Sequence, residues 1–194
     1  MANYYAHPTA EIAADAKIGD GTKVWHQVHI REQVVIGKDC VLSKGVYIDK
    51  GVHVGNNVKV QNGVSVYQGV SLEDEVFVGP NASFTNDMFP RSVAPDWKVV
   101  DTILRRGASV GANATIVCGI EIGQYAMIAA GAVVTENVLP FALMVGSPAR
   151  LKGFVCKCGQ LLHSKATMLE NLTFACKSCG RELGINFSIK EPRR

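Results

Sequence analysis

Apolar residues recur at every sixth position from Ile12 to Phe84, through Ile18, Val24, Ile30, Ile36, Leu42, Ile48, Val54, Val60, Val66, Leu72 and Val78. If about half of all positions were apolar, a run of this length would arise by chance roughly once in 10⁴ tries. A second row, small or β-branched, lies four residues behind each anchor: Ala16, Thr22, Val28, Val34, Cys40, Val46, Val52, Val58, Val64, Val70, Val76 and Ala82. The resulting spacing of four, two, four, two makes Val58-Lys59-Val60 and Val64-Ser65-Val66 alternate inward and outward, as short strands do. Turn formers such as Gly55-Asn56-Asn57 and Gln61-Asn62-Gly63 separate them. A strict six-residue period drifts around a 3.6-residue turn, so a helix cannot hold this pattern. Strand and corner repeating at fixed period predict a parallel β-helix, whose coils must stack because each leaves its strand edges unpaired.

The beat stops at Asn86 and resumes at Leu104, continuing through Val110, Ile116, Ile122, Ile128 and Val134, with Ala108, Ala114, Ile120, Ala126, Ala132 and Val138 as the second row. Residues 86–101 between them have two prolines and no period, and so form a loop thrown out of the stack. Loops of this length in compact domains are usually functional or disordered. Phe89 and Trp97 favour function, because a merely solvated insertion seldom carries two large aromatics.

This beat resembles that of the hexapeptide-repeat acyltransferases. The resemblance implies an all-β, left-handed parallel β-helix with three hexads per triangular coil; the general preference for right-handed crossovers would have given the opposite hand. Residues eighteen apart would then stack about 4.8 Å above one another, and nineteen hexads would make about six coils in a prism roughly 30 Å tall. The stretch Leu139-Pro140-Phe141-Ala142-Leu143-Met144-Val145-Gly146-Ser147-Pro148-Ala149-Arg150 resembles the family's signature after the last coil. The expected organisation is a β-helix domain over 1–153, with loop 86–101 inserted and a short C-terminal helix or tail over 139–153, followed by a small zinc-ribbon-like appendage over 154–187.

Hydrophobic residues make up 47% of the 194 positions but aromatics only 7%, which suits a narrow prism filled with aliphatic side chains. A net charge of +3 is too mild to argue for nucleic acid. No apolar run is long enough to span a membrane, and Met1 to His7 lacks the basic segment and apolar core of a signal peptide, so a cytoplasmic protein is expected.

In the appendage, Cys156-Lys-Cys158-Gly159 and Cys176-Lys-Ser-Cys179-Gly180 nearly match a zinc ribbon, since thiolates on two tight turns close a tetrahedral Zn²⁺ site. The first knuckle departs from the usual pattern by having one residue between its cysteines. A disulfide pair is the rival reading, less expected in a cytosolic chain. Four cysteines saturate the metal, so the zinc would be structural.

Trimeric β-helix carbonic anhydrases hold Zn²⁺ with three histidines, but among His7, His26, His29, His53 and His163 no two lie eighteen residues apart, which argues against a metal triad. Acyltransferases acting on hydroxyls need a general base, commonly a loop histidine. Loop 86–101 has none. An amine needs only orientation, a donor for the developing oxyanion and an exit for its proton.

The residues Asn62-Gly-Val-Ser-Val-Tyr67, Gly79-Pro80, Phe84-Thr85-Asn86-Asp87 and Pro90-Arg91-Ser92 are more specific. They resemble the bacterial N-acetyltransferases of nucleotide-linked 3-amino sugars, most closely those acting on UDP-2-acetamido-3-amino-2,3-dideoxyglucuronate on the way to a lipopolysaccharide sugar. The resemblance covers about residues 7–153 and implies an acetyl-CoA-dependent homotrimer with active sites between subunits. It puts Asn86 at the reacting centre, beyond Glu32, Lys50 and Gln68 in the same corner phase; the other reading of Asn86 is a turn asparagine capping its own backbone. Arg91 becomes the candidate for a uronate carboxylate or a phosphate, which guanidinium binds bidentately. Arg31, Asn62, Tyr67 and Glu73 are further candidates for the nucleotide-sugar. Coenzyme A would lie along Gly111, Ala112, Ala129 and Ala130, where small side chains admit backbone amides, with Arg150 and Lys152 meeting its phosphates. Two alternatives stay open: a dTDP-3-amino-6-deoxyhexose N-acetyltransferase, and a non-catalytic β-helix scaffold whose zinc ribbon docks a protein partner.

Overall fold

Three parallel sheets wrap a single apolar axis in the computed structural model, which describes residues 3–93, 97–163 and 172–185. Successive strands pass to successive faces, so each sheet takes every third strand. The first face stacks Tyr5–Ala6, Lys23–Val24, Val41–Leu42, Lys59–Val60, Phe77–Val78, Ser109–Val110 and Met127–Ile128. The second runs from Glu11–Ile12 to Val133–Val134, and the third from Lys17–Ile18 to Glu121–Ile122. Registers such as Lys23↔Val41 and Tyr47↔Ser65 step by eighteen residues, and Phe77↔Ser109 steps by 32 because the loop intervenes. The prism is the parallel β-helix expected from the hexads, and it matches the left-handed form that the family resemblance implied.

The anchors carry the packing. Ile30, Leu42, Ile48, Leu72, Leu104, Ile116, Ile122 and Ile128 are among the large side chains on the axis, with Phe84 at the level where the loop leaves, and the second row fills the space between them. Three corners connect the faces. The last residue of each corner commonly lies at positive φ, as at Asn57, Asn81 and Asn113, a conformation that asparagine and glycine tolerate. Side chains also tie the coils: Asp74 Oδ1 accepts the Asn56 N–H at 2.7 Å, and Asn56 Oδ1 accepts the Lys38 N–H at 2.9 Å, each eighteen residues away.

Two threonines stand in the inward second row. Thr22 Oγ1 donates to Gly37 O at 2.9 Å and accepts the Cys40 N–H at 3.0 Å. Thr102, missed by the hexad reading because it precedes Leu104 directly after the loop, is as buried, yet its hydroxyl has no partner. An unpaired buried hydroxyl costs about 1–3 kcal/mol. Thr102→Val is therefore expected to raise the denaturation midpoint, and Thr22→Val to lower it by orphaning the Cys40 N–H; urea unfolding of the two variants checks the opposite signs.

The C-terminal segment is strand and not helix; no residue among those described is helical. Ala142–Val145 extends the first face in parallel, and Arg150–Val155 folds back antiparallel upon it. The second of these crosses from the tail into the cysteine module, and Leu161–His163 pairs with it in turn. Leu172–Ala175 and Glu182–Ile185 form a separate hairpin. Parts of the module (164–171 and 186–187) and of the loop (94–96) lie outside the described residues.

Candidate functional site

The corner joining the second and third faces holds the richest side-chain chemistry. Stacking at eighteen residues lines up Arg31, Asp49, Tyr67 and Thr85, and beside them Glu32, Lys50, Gln68 and Asn86. Asn86 Nδ2 donates to Gln68 O at 3.2 Å, so the candidate reacting residue is held by the coil beneath it as the eighteen-residue spacing implies. Asp49 collects several bonds: from the Lys50 N–H (2.8 Å), the Tyr47 hydroxyl (2.9 Å), the Gln68 N–H (3.2 Å) and the Arg31 guanidinium (3.4 Å). Burial pushes the Asp49 carboxyl up, but the N–H groups of Lys50 and Gln68, the Tyr47 hydroxyl and Arg31 together outweigh it and hold its pKa below the usual range. Arg31 also donates to Glu32 at 3.1 Å, and the Tyr47 ring meets Tyr67 edge-on at 6.1 Å.

The loop leaves and returns at this corner. The Val100 N–H donates to Asn86 O at 3.0 Å, closing its base. Two corner glycines make room for the returning strand. A Cβ on Gly69 would stand 2.4 Å from Val99 Cγ1, and one on Gly119 3.1 Å from Val100 Cγ1; both glycines also have positive φ. Beneath the return lies a groove of about 400 Å³ lined by Lys50, Gln68, Gly69, Ser71, Val99 and Asp101. In the loop, Arg91 is exposed and donates to its neighbour's Pro90 O, while Phe89 and Val93 are 81% and 88% exposed.

The candidate coenzyme residues occupy the corner between the first and second faces. Gly79, Gly111 and Ala129 stack there, and a Cβ on Gly111 would lie 2.4 Å from the Ala130 N, so only glycine allows this backbone approach. Ala112 and Ala130 flank the stack, and Asn62 sits lower on the same corner, exposed, with its carbonyl accepting the Asn81 N–H. Between this corner and that of Asn86 runs the second face, whose upper strands point only Ser65, Ser83, Thr115 and Val133 outward. The tail reaches the top of that face, where the Ala149 N–H donates to Val133 O at 2.7 Å, placing Arg150 beside it. Lys152 is the extra residue of an irregularity in the pairing of Ala142–Val145 with Arg150–Val155, and is exposed.

Glu73 is the candidate that the geometry separates from the rest. It sits on the third corner, where Oε1 accepts from Arg105 at 2.8 Å and Oε2 from the Arg106 N–H at 2.9 Å. Arg105 also bridges to Glu121, so Glu73 belongs to an ion network that staples three coils together. Sequence reasoning did not find Tyr47 and Asp49; the eighteen-residue step from Arg31 to Asp49 was the available signal.

The four module cysteines converge. Cys156 and Cys179 sulfurs lie 3.6 Å apart, Cys158 and Cys176 sulfurs 3.7 Å, and all four are within 4.8 Å of one another. A tetrahedron with Zn–S bonds of about 2.3 Å has sulfur–sulfur edges of about 3.8 Å, so the set fits such an ion and is too wide for a disulfide. The Cys179 N–H, with that of Ser178, pulls the Cys176 thiol down to about 6, while burial pushes the neighbouring Cys156 thiol up. The module seats on the prism through Lys157 above the Tyr125 ring and through Phe174 against Phe154, whose side chain belongs to the prism's core, leaving a cavity of about 550 Å³ lined by Glu75, Arg106, Tyr125, Lys157, Arg181 and Glu182.

Two family profiles match the chain: bacterial transferase hexapeptide (six repeats) over residues 5–50, and hexapeptide repeat of succinyl-transferase over 33–68 and 106–136. A dTDP-3-amino-3,6-dideoxy-alpha-D-galactopyranose 3-N-acetyltransferase of Aneurinibacillus thermoaerophilus is 48% identical over 80 residues, which span 41% of this chain and 38% of that protein. A hexapeptide-repeat acetyltransferase of Vibrio cholerae, solved with acetyl coenzyme A, superposes with a TM-score of 0.57 at 21% identity, over 63% of this chain and 70% of that one. A hexapeptide transferase family protein of Anaplasma phagocytophilum gives 0.55 at 20% identity, over 79% and 80%. At these identities the two structures establish the fold. Repeat profiles, strand register and fold agree that the chain is built of transferase hexapeptide repeats wound into the β-helix fold of these structures.

Proposed function

We propose that this chain transfers an acetyl group from acetyl-CoA to the amino group of a nucleotide-linked 3-amino sugar. The observation that carries the reading is the second face: a track of small outward side chains, with a close-packed Gly111–Ala129 corner on one side and Asn86 on the other. Crossing that face means about three to five residues of strand, on the order of 10–15 Å, which an extended pantetheine arm would bridge to bring its thioester toward Asn86. The relative of Aneurinibacillus thermoaerophilus, named for acetylating a 3-amino sugar, supports the acceptor class.

The chemistry asks little of the protein. A neutral sugar amine attacks the thioester carbonyl, a tetrahedral oxyanion forms, and it collapses to the amide with the CoA sulfur leaving and taking up the amine's proton. No histidine base lies in loop 86–101, and this route requires none. Asn86 supplies orientation through its amide, of which one N–H is already committed to Gln68 O. Arg150, at the top of the track, and Lys152, two residues further along the strand that extends the first face, meet the nucleotide phosphates of the donor.

For the acceptor, the finer reading is UDP-2-acetamido-3-amino-2,3-dideoxyglucuronate in surface-polysaccharide synthesis. Arg91 stands on the loop with donors to spare for a uronate carboxylate, whereas Arg31 is already paired with Glu32 and Asp49. The rival is a dTDP-3-amino-6-deoxyhexose, which the 48% identical relative favours. The working unit is a homotrimer in the cytoplasm; neighbouring copies would cover Phe89, Val93 and Trp97, which a single chain leaves exposed. The four cysteines hold a structural Zn²⁺ that fixes the two knuckles, with no part in acetyl transfer.

Thiol release from acetyl-CoA, measured with UDP- and dTDP-linked 3-amino sugars, tests the reading. Turnover with at least one is expected, and the uronate should lose most when Arg91 becomes Ala. No release with any amino sugar would overturn the enzymatic reading in favour of a docking scaffold.

A further inference from the structure

The helical ladder is loosest where the loop departs. The strands Ser65–Val66 and Ser83–Phe84 share one paired position, Ser65↔Ser83, whereas each shares two with its neighbour on the other side. Asn86 follows directly and must nevertheless present its amide in one orientation. Its own bond goes to Gln68 O, so the position of the Gln68 backbone decides where the amide points. That backbone is held from below by Asp49, whose Oδ2 accepts the Gln68 N–H at 3.2 Å. Asp49 is itself pinned: Oδ1 accepts from the Tyr47 hydroxyl and from Arg31, and its side chain is only 16% exposed. The outcome is a continuous relay, Arg31 and Tyr47 to Asp49, Asp49 to Gln68, Gln68 to Asn86, spanning four coils on one corner.

We propose that Asp49 is a positioning residue for the acyl-transfer centre, acting through the Gln68 backbone to hold the Asn86 amide in the orientation that meets the acceptor amine. This rests on the acetyltransferase reading above for its purpose, but not for its geometry. A carboxylate suits the task because it accepts several hydrogen bonds at once, and bonds to an ionised acceptor are stronger than neutral ones. Asparagine at position 49 keeps the shape but offers one oxygen acceptor instead of two, so it cannot serve Tyr47, Lys50 and Gln68 together.

A role confined to the Asp49 turn would cost stability only. A positioning role has two further signatures. In Asp49→Asn, kcat for the amino sugar should fall about 10- to 100-fold, the scale of a small misplacement, with KM for acetyl-CoA unchanged. The same substitution made in an Asn86→Ala background should cost almost nothing more, because the residue through which it acts is gone. Equal fold losses in the two backgrounds would overturn the proposal.

A second measurement does not depend on turnover. The side-chain amide of Asn86, identified in a ¹⁵N spectrum by its loss in Asn86→Ala, should shift and broaden in Asp49→Asn of the full-length protein. If the Asn86 amide signal is unmoved, Asp49 does not position it, and the proposal fails whatever the kinetics show. If the signal moves but wild-type protein acetylates no amino sugar, the relay stands while the acetyltransferase reading, and with it the purpose assigned to Asp49, falls.

Discussion

Asn86→Ala is expected to lower kcat for the amine acceptor about 10²–10³-fold, the scale of a lost amide contact to a reacting centre. KM for acetyl-CoA should change little, since the donor's proposed contacts lie across the second face at Gly111, Ala129 and Arg150. Stability should barely respond: the bond to Gln68 O is exposed, and a single hydrogen bond contributes about 0.5–1.5 kcal/mol net. The diagnostic feature is therefore the separation between a large rate loss and a small change in melting temperature. Steady-state kinetics beside a thermal melt measure both. A variant within threefold of wild type would remove Asn86 from the mechanism and leave it a turn asparagine.

Removal of the zinc proposed for the four cysteines is the second large effect. Structural zinc contributes about 10–16 kcal/mol of apparent binding free energy in small metal-folded units. Among the described residues the module's buried core is Cys156, Cys176 and Leu183, with Phe141 and Leu162 packed against it. One zinc per chain is expected by elemental analysis. Removing it with a chelator, or replacing Cys176 with Ser, should unfold the module while the prism, with its own continuous core, keeps its melting transition. Thiol labelling follows this directly: four module thiols should react after chelation, whereas Cys40 and Cys118 stay buried in the prism. Protein that is metal-free as purified and keeps its module thiols protected would contradict the assignment.

The prism was legible because its constraint is periodic. Every anchor from Ile18 to Val134 faces the axis, since a strand two residues long leaves each side chain only two directions. The hand was not legible from the residues, because the hexad pattern is the same for either sense of winding; it came from the family resemblance. Thr102 escaped notice because the beat was resumed at Leu104, two residues late. The sequence leaves residues 139–153 open between a short helix and a tail; Ala142–Val145 is strand because it finds an open strand edge on the first face, and that tertiary partner decides its conformation.

The candidate site was legible as far as stacking carries. Asn86 above Gln68 follows from counting eighteen, and so would Asp49 beside Arg31 have done. What counting cannot give is which acids meet which bases around a corner. Glu73 looks like any corner carboxylate in sequence, and only the fold shows it held by Arg105 and the Arg106 N–H. The cavity between module and prism depends likewise on how Lys157 settles over Tyr125, which no local pattern encodes.

A crystal of the assembled protein grown with coenzyme A and the UDP-linked amino sugar tests the central claim most directly. The account predicts the pantetheine arm along the second face, between the Gly111–Ala129 corner and Asn86, its sulfur and the sugar nitrogen both within reach of the Asn86 amide, and the nucleotide nearer residues 60–91. Coenzyme A bound on another face, or loop 86–101 standing in solvent away from both ligands and every neighbouring copy, would contradict it.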